Sequence, residues 1–89
     1  MDILVTEEFK RRYLELPLAI QKKTEKQERL FRRNPFYPSL RAEKLEPKEK
    51  SVWSFRVDKS YRVVFRFINS HTALFLIIGR HDWIYRINF

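Results

Sequence analysis

Two stretches, Val52–Val57 and Tyr61–Ile68, alternate in character at period two, and the turn-forming residues Asp58-Lys59-Ser60 separate them. Alternation of this kind marks strands with one buried face. Trp53, Phe55 and Val57 share one face of the first strand; Tyr61, Val63, Phe65 and Phe67 share one face of the second. A common core needs both aromatic faces on the same side of the sheet. A three-residue loop achieves this by pairing Val57 with Tyr61, which sets Arg56 directly across from Arg62. The opposite faces then carry Ser54 and Arg56 on one strand and Arg62, Val64 and Arg66 on the other.

Thr72–Gly79 is apolar on both faces, the pattern of a central strand. A turn at Asn69-Ser70, with or without His71, folds it back so that Ile78 to His81 lie beside Tyr61 and Arg62. Ile3-Leu4-Val5 reads as a short edge strand. Arg41–Glu46 reads as a further strand, closed by the polar turn Pro47-Lys48-Glu49-Lys50. Nearer the N-terminus the period changes. Phe9, Tyr13, Leu16 and Ile20 recur at helical spacing, Thr6 can cap, and Glu7 and Glu8 suit a first turn. Pro17 interrupts that stripe and fits the first turn of a second helix, so helices are predicted over 6–15 and 17–33. The two prolines of Asn34-Pro35-Phe36-Tyr37-Pro38-Ser39 make that segment a loop. The predicted fold is α+β in one domain spanning 1–89: two N-terminal helices packed on one face of an antiparallel sheet. The other face, where the arginines point, is expected to be open to a ligand.

Charge restricts what such a fold binds. Against 11 Asp and Glu stand 19 Lys and Arg, a net charge of +8. That favours an anionic partner: RNA, DNA, an anionic membrane or an acidic protein. Residues 18–33 alone hold six cations and two anions, a pattern that fits a solvated face and an anion-binding face equally. The absence of cysteine excludes a disulfide scaffold, a thiolate zinc site and a cysteine nucleophile. With two histidines and no ligand spacing, no metal is expected. No apolar run approaches the ~20 residues of a spanning helix, and Met1-Asp2-Ile3-Leu4 lacks a basic leader. A cytoplasmic protein without a membrane partner is the expectation.

Two arginines directly across a ladder repel. A phosphate between them removes that cost and gains charge-assisted hydrogen bonds that suit the forked guanidinium. The strand register returns the segment after Gly79 to the same end of the sheet, so Arg56, Arg62, Arg80, His81 and Tyr85 are expected to converge, joined by Lys44 if its strand lies alongside. Such a cluster suits RNA, which carries its own nucleophile, the 2′-hydroxyl. Cleavage then needs a base, cations around the crowded phosphate, and an acid for the leaving 5′-oxygen. Histidine fits either proton role, tyrosine fits if nearby arginines lower its pKa, and arginines supply the electrostatics. The same residues also fit plainer roles. Arg56 and Arg62 suit ion pairs with Asp58, Asp82 or Glu46, His81 a bond to Asp82 or a carbonyl, His71 a turn, and Trp53 and Trp83 the core.

Taken in order, Asn34-Pro35-Phe36-Tyr37-Pro38-Ser39-Leu40, Lys44-Leu45, Trp53-Ser54-Phe55-Arg56-Val57, Tyr61-Arg62-Val63-Val64-Phe65 and Gly79-Arg80-His81-Asp82-Trp83-Ile84-Tyr85 resemble the RelE/ParE superfamily. These are small basic toxins of type II toxin–antitoxin systems, and the resemblance spans nearly the whole chain. It implies the same fold, a cognate antitoxin as partner, and one of two activities. RelE-type toxins cleave mRNA without metal, typically on the ribosome; ParE-type toxins inhibit DNA gyrase. The mRNA-cleaving branch is the nearer match, with gyrase inhibition, or RNA binding by an inactive homologue, as the alternatives. The resemblance puts Arg62 on the scissile phosphate, Arg56 on a basic position of the preceding strand, and His81 and Tyr85 among the proton-transfer groups. Lys44, Arg66, Arg80 and Arg86 are expected to bind RNA, and no cofactor is implied. Ser54 departs from the pattern: the best-known RelE toxins carry a proton-transferring lysine there, so the resemblance leaves the base unassigned.

Overall fold

The computed structural model describes residues 1–87. The chain runs β1 (Asp2–Val5), α1 (Glu7–Leu14), α2 (Leu18–Arg33), β2 (Glu43–Lys44), β3 (Trp53–Arg56), β4 (Tyr61–Asn69), β5 (Thr72–Arg80) and α3 (His81–Ile84), with single 3₁₀ turns at Pro38–Leu40 and Lys48–Lys50. The five strands form one sheet in the order β1-β5-β4-β3-β2. β1 lies parallel to β5, so the sheet is mixed; the other neighbours are antiparallel. β5 is interior, flanked by β1 and β4, as its two-sided apolar pattern requires.

Thr6 caps α1 as predicted, its Oγ1 accepting the Phe9 amide at 3.0 Å while its hydroxyl donates to the Leu76 carbonyl at 2.6 Å. The cap thereby ties the helix start to β5. Pro17 stands one position before α2 rather than in its first turn. Gln21 closes the corner between the helices, its amide donating to the carbonyls of Tyr13 and Leu16 at 3.0 and 3.2 Å. The strand expected over 41–46 shrinks to Glu43–Lys44, because Arg41 adopts a left-handed φ of 46° at the end of the first 3₁₀ turn.

The core lies between the helices and the aromatic face of the sheet. The ring centroid of Phe31 from α2 lies 5.3, 5.0 and 5.2 Å from those of Phe55, Phe65 and Phe75. All four rings are buried, and each contributes about 1.5–3 kcal/mol through lost apolar exposure. The opposite face departs from the sequence expectation. Val52, Val64, Ile77 and Ile84 bury a second, smaller cluster there, with Leu45, Trp83 and Ile87 packed against it. The arginine-bearing face is therefore partly roofed by α3 and the residues after it, and not open along its length. The sole glycine makes this roof fit: a Cβ on Gly79 would stand 2.4 Å from Cε3 and Cζ3 of the Trp83 indole.

Candidate active site

The β3–β4 hairpin has the predicted register, with Arg56 paired to Arg62 and the Val57 amide donating to the Tyr61 carbonyl at 3.0 Å. Across the other side of β4, Arg62 pairs with Gly79 and Tyr61 with Arg80. Arg62 is only 7% exposed. Its Nη1 donates to the carbonyls of Asp58 and Tyr61 at 2.6 and 3.0 Å, so the hairpin turn fixes the guanidinium. The Asp58 carboxylate does not reach it. That carboxylate accepts the amides of Ser60 and Tyr61 at 2.8 and 2.9 Å and pairs with Lys23 at 3.4 Å. Burial pushes the Asp58 carboxyl up, but these hydrogen bonds and the Lys23 charge outweigh it and hold the group below the usual carboxylate range.

Arg56 is half-buried, and its Nε is buried without a hydrogen-bond partner. Among the described residues neither Arg56 nor Arg62 has an ion pair. Asp82 pairs loosely with Arg80 instead, at 3.9 Å.

α3 delivers the remaining groups. The His81 amide donates to the Ser60 carbonyl at 2.7 Å, which anchors the helix start on the hairpin turn. His81 and Tyr85, four residues apart, meet edge to face with centroids 4.7 Å apart. The Tyr85 hydroxyl donates to Oε1 of Glu43 and shares a hydrogen bond with Ser54, itself 1% exposed. Glu43 pairs with Ser54 across β2 and β3, which places its carboxylate on the arginine side of the sheet. Tyr85 departs from expectation. Burial and the Glu43 contact raise its pKa, and the opposing influence of Ser54 and Arg62 is smaller. The phenol therefore keeps its proton at neutral pH and is a donor rather than a base. Beside it opens a cleft of about 380 Å³ lined by Glu43, Leu45, Glu46, Ile84 and Ile87 among others.

The other predicted cations do not converge. Lys44 borders the cleft, but it pairs with Trp53, and its ammonium lies 6.0 Å from that ring's centroid on the helix side. Arg80 likewise turns to the helix side, its guanidinium 5.7 Å over Tyr61. Arg66 shares the face of Arg62 but is exposed beyond Val64, and Arg86 is exposed after α3. Glu43 is the group that sequence reasoning missed. Leu45 packs on the arginine-side cluster, and period two then puts Glu43 on the same face; without that packing the sequence leaves the face of this short strand open.

The family model of the RelE-like toxin of type II toxin–antitoxin system HigB matches residues 12–78. Among solved structures, a YoeB/ParE toxin from Agrobacterium tumefaciens superimposes with a TM-score of 0.75 at 21% identity, covering 91% of this chain and 99% of that one. YafQ from E. coli gives 0.73 at 15% identity over 94% and 97%. The toxin–antitoxin complex RelBE2 from Mycobacterium tuberculosis gives 0.73 at 20% identity over 90% and 96%. At these identities the likeness establishes the fold. No curated protein sequence matches the chain.

Proposed function

The chain belongs to the family of RelE-like toxins of the type II toxin–antitoxin system HigB, and on that premise we propose that it is an mRNA endoribonuclease that acts without metal, with an antitoxin as its controlling partner. The observation that carries this reading is the facing pair Arg56 and Arg62, buried or half-buried and without a carboxylate partner among the described residues, beside a protonated tyrosine and a carboxylate. Two unneutralised guanidiniums, that of Arg62 held by backbone carbonyls, suit a phosphate that gains negative charge in the transition state.

In this scheme Glu43 accepts the proton of the RNA 2′-hydroxyl. The 2′-oxygen bonds to phosphorus, the P–O5′ bond breaks, and the 5′-oxygen takes a proton from the acid side. His81, in its protonated form, supplies that proton. Tyr85 stands between the two and orients both, donating to Glu43 and packing edge to face with His81. The products are a 2′,3′-cyclic phosphate and a free 5′-hydroxyl. The guanidiniums of Arg62 and Arg56 hold the non-bridging oxygens. An acidic, amphipathic antitoxin segment suits a toxin of net charge +8. Several fold neighbours are themselves structures of toxin–antitoxin complexes.

Inducible expression with mapping of mRNA 5′ ends tests the reading, beside Glu43→Gln and Arg62→Ala. Cuts within codons, terminating in 2′,3′-cyclic phosphate, are expected. Glu43→Gln is expected to lower cleavage about 10²–10⁴-fold, the ordinary contribution of a general base. Growth arrest with intact mRNA and DNA-damage signalling would overturn the reading in favour of gyrase inhibition.

A further inference from the structure

A buried glutamine interrupts the apolar stripe of α2. Ile20, Thr24, Gln27 and Phe31 recur at helical spacing and form the inward side of the helix. Thr24 is satisfied within the helix, its hydroxyl donating to the Ile20 carbonyl at 2.8 Å. Gln27 is not. Its amide reaches out of the helix and donates to the carbonyls of Arg56 and Ser39, at 2.8 and 3.3 Å. An apolar side chain at this position would add to the core, so these two bonds, and not burial, account for the glutamine.

The Arg56 carbonyl has no strand to bond. In an antiparallel ladder successive residues turn their backbone groups to opposite sides. The Val57 amide turns to β4, where it meets the Tyr61 carbonyl at 3.0 Å. The amide and carbonyl of Arg56 therefore turn the other way, toward β2. Continued by two residues, the Glu43–Ser54 register sets Arg41 opposite Arg56. Arg41 has left the strand for its left-handed turn. The Gln27 amide takes the place of the missing strand, and through the Ser39 carbonyl it also ties down the turn that precedes β2.

Arg56 needs this hold more than Arg62 does. The two residues face each other across the ladder and repel. Arg62 is pinned through its side chain by the carbonyls of Asp58 and Tyr61, whereas the Nε of Arg56 is buried without a partner. The backbone therefore carries the placement of Arg56. We infer that Gln27 is a positioning residue of the cleavage site: from the helix side of the sheet it holds the end of β3, so that Arg56 stays opposite Arg62. Lys23, one turn earlier on α2, pairs with the Asp58 carboxylate at 3.4 Å. The helix thus grips the hairpin at two points, of which the exposed ion pair is the weaker. The effect on the reaction rests on the proposed ribonuclease reading; the hold on the strand does not.

The test is Gln27→Met, which keeps length and helix propensity and removes the donor. Gln27→Leu, apolar and suited to the stripe, is the second variant should methionine pack poorly. Amide hydrogen exchange reads the hold directly. Exchange at the Val57 amide is expected to rise about 5- to 100-fold, the equivalent of a lost buried hydrogen bond. The Thr6 amide, bonded to the Phe75 carbonyl far from the hairpin turn, is expected to stay within about threefold. In single-turnover cleavage of ribosome-bound mRNA the rate is expected to fall about 10- to 100-fold, because a misplacement of about 1 Å costs about 10², with the half-saturating concentration little changed. In an Arg56→Ala background the same substitution is expected to cost less than about twofold; a merely structural role would cost as much there as in the wild type. Unchanged exchange at Val57 would overturn the proposal, and so would an equal loss of rate in the Arg56→Ala background. A wild-type protein that cleaves no RNA would instead overturn the ribonuclease reading, and the exchange arm would then decide by itself whether Gln27 holds the strand.

Discussion

Replacing Gly79 by alanine tests how α3 is held, because one methyl group separates a fitted roof from a displaced one. The backbone of Gly79 is not in the left-handed region, so alanine meets no conformational obstacle there. The whole cost is steric: the new Cβ would meet the Trp83 ring at 2.4 Å and Ile84 Cδ1 at an ordinary 3.6 Å. The indole cannot retreat freely, since the Arg12 guanidinium covers it at 4.4 Å and is itself held by Glu8 at 3.2 Å. Overpacking of this kind costs about 1–3 kcal/mol. The upper end is also what α3 forfeits if it swings away, since Ile84 is fully buried and loses about 1.5–3 kcal/mol on exposure. A domain of this size loses roughly 4–8 °C of Tm per kcal/mol, so thermal unfolding followed by circular dichroism should show a fall of about 4–24 °C. Cleavage should fall further than stability does, because α3 carries His81 and Tyr85. A double variant, Gly79→Ala with Trp83→Leu, should recover at least about 1 kcal/mol of the alanine cost, as expected for contacting residues. A single variant with unchanged Tm and unchanged cleavage would refute the close-approach argument.

Two further perturbations probe the scaffold of the site. The Asp58 carboxyl is held below its unfolded pKa of ~3.9, so its contribution to stability is complete above that value and is lost as pH falls through the folded one. Asp58→Asn keeps the turn acceptor but cannot titrate; urea unfolding at a series of pH values should show a shallower loss of stability below about pH 4, and an unaltered pH dependence would disprove the assignment. Thr6→Ala removes both the cap on the Phe9 amide and the bond to the Leu76 carbonyl, and should cost about 1–2 kcal/mol in denaturant titration; a loss below about 0.5 kcal/mol would show that water replaces the hydroxyl.

The hairpin and the helices were legible for different reasons. Phe9, Tyr13 and Thr6 announce α1 locally, through spacing and a cap. The long strands of the sheet announce themselves through aromatic alternation, and because the side-chain period is two, the demand for a common buried face fixed the Arg56–Arg62 pairing without any structure. The strand predicted over 41–46 exceeds the observed one because the left-handed turn at Arg41 leaves no sequence mark in a non-glycine residue.

From sequence alone come the α+β class, the order of the long strands, the facing arginines, and the return of the chain beside them after Gly79. Each is set by periodicity or by short loops, whose constraints act between near neighbours. Tertiary structure decided the rest of the site. It put Glu43 rather than Lys44 on the arginine face, through the register of a strand only two residues long. It buried Arg62 and left Tyr85 its proton, through the docking of α3 across the sheet and the burial and carboxylate contact that follow. Desolvation and charge at these groups depend on what packs over them from distant parts of the chain, and no local pattern encodes that.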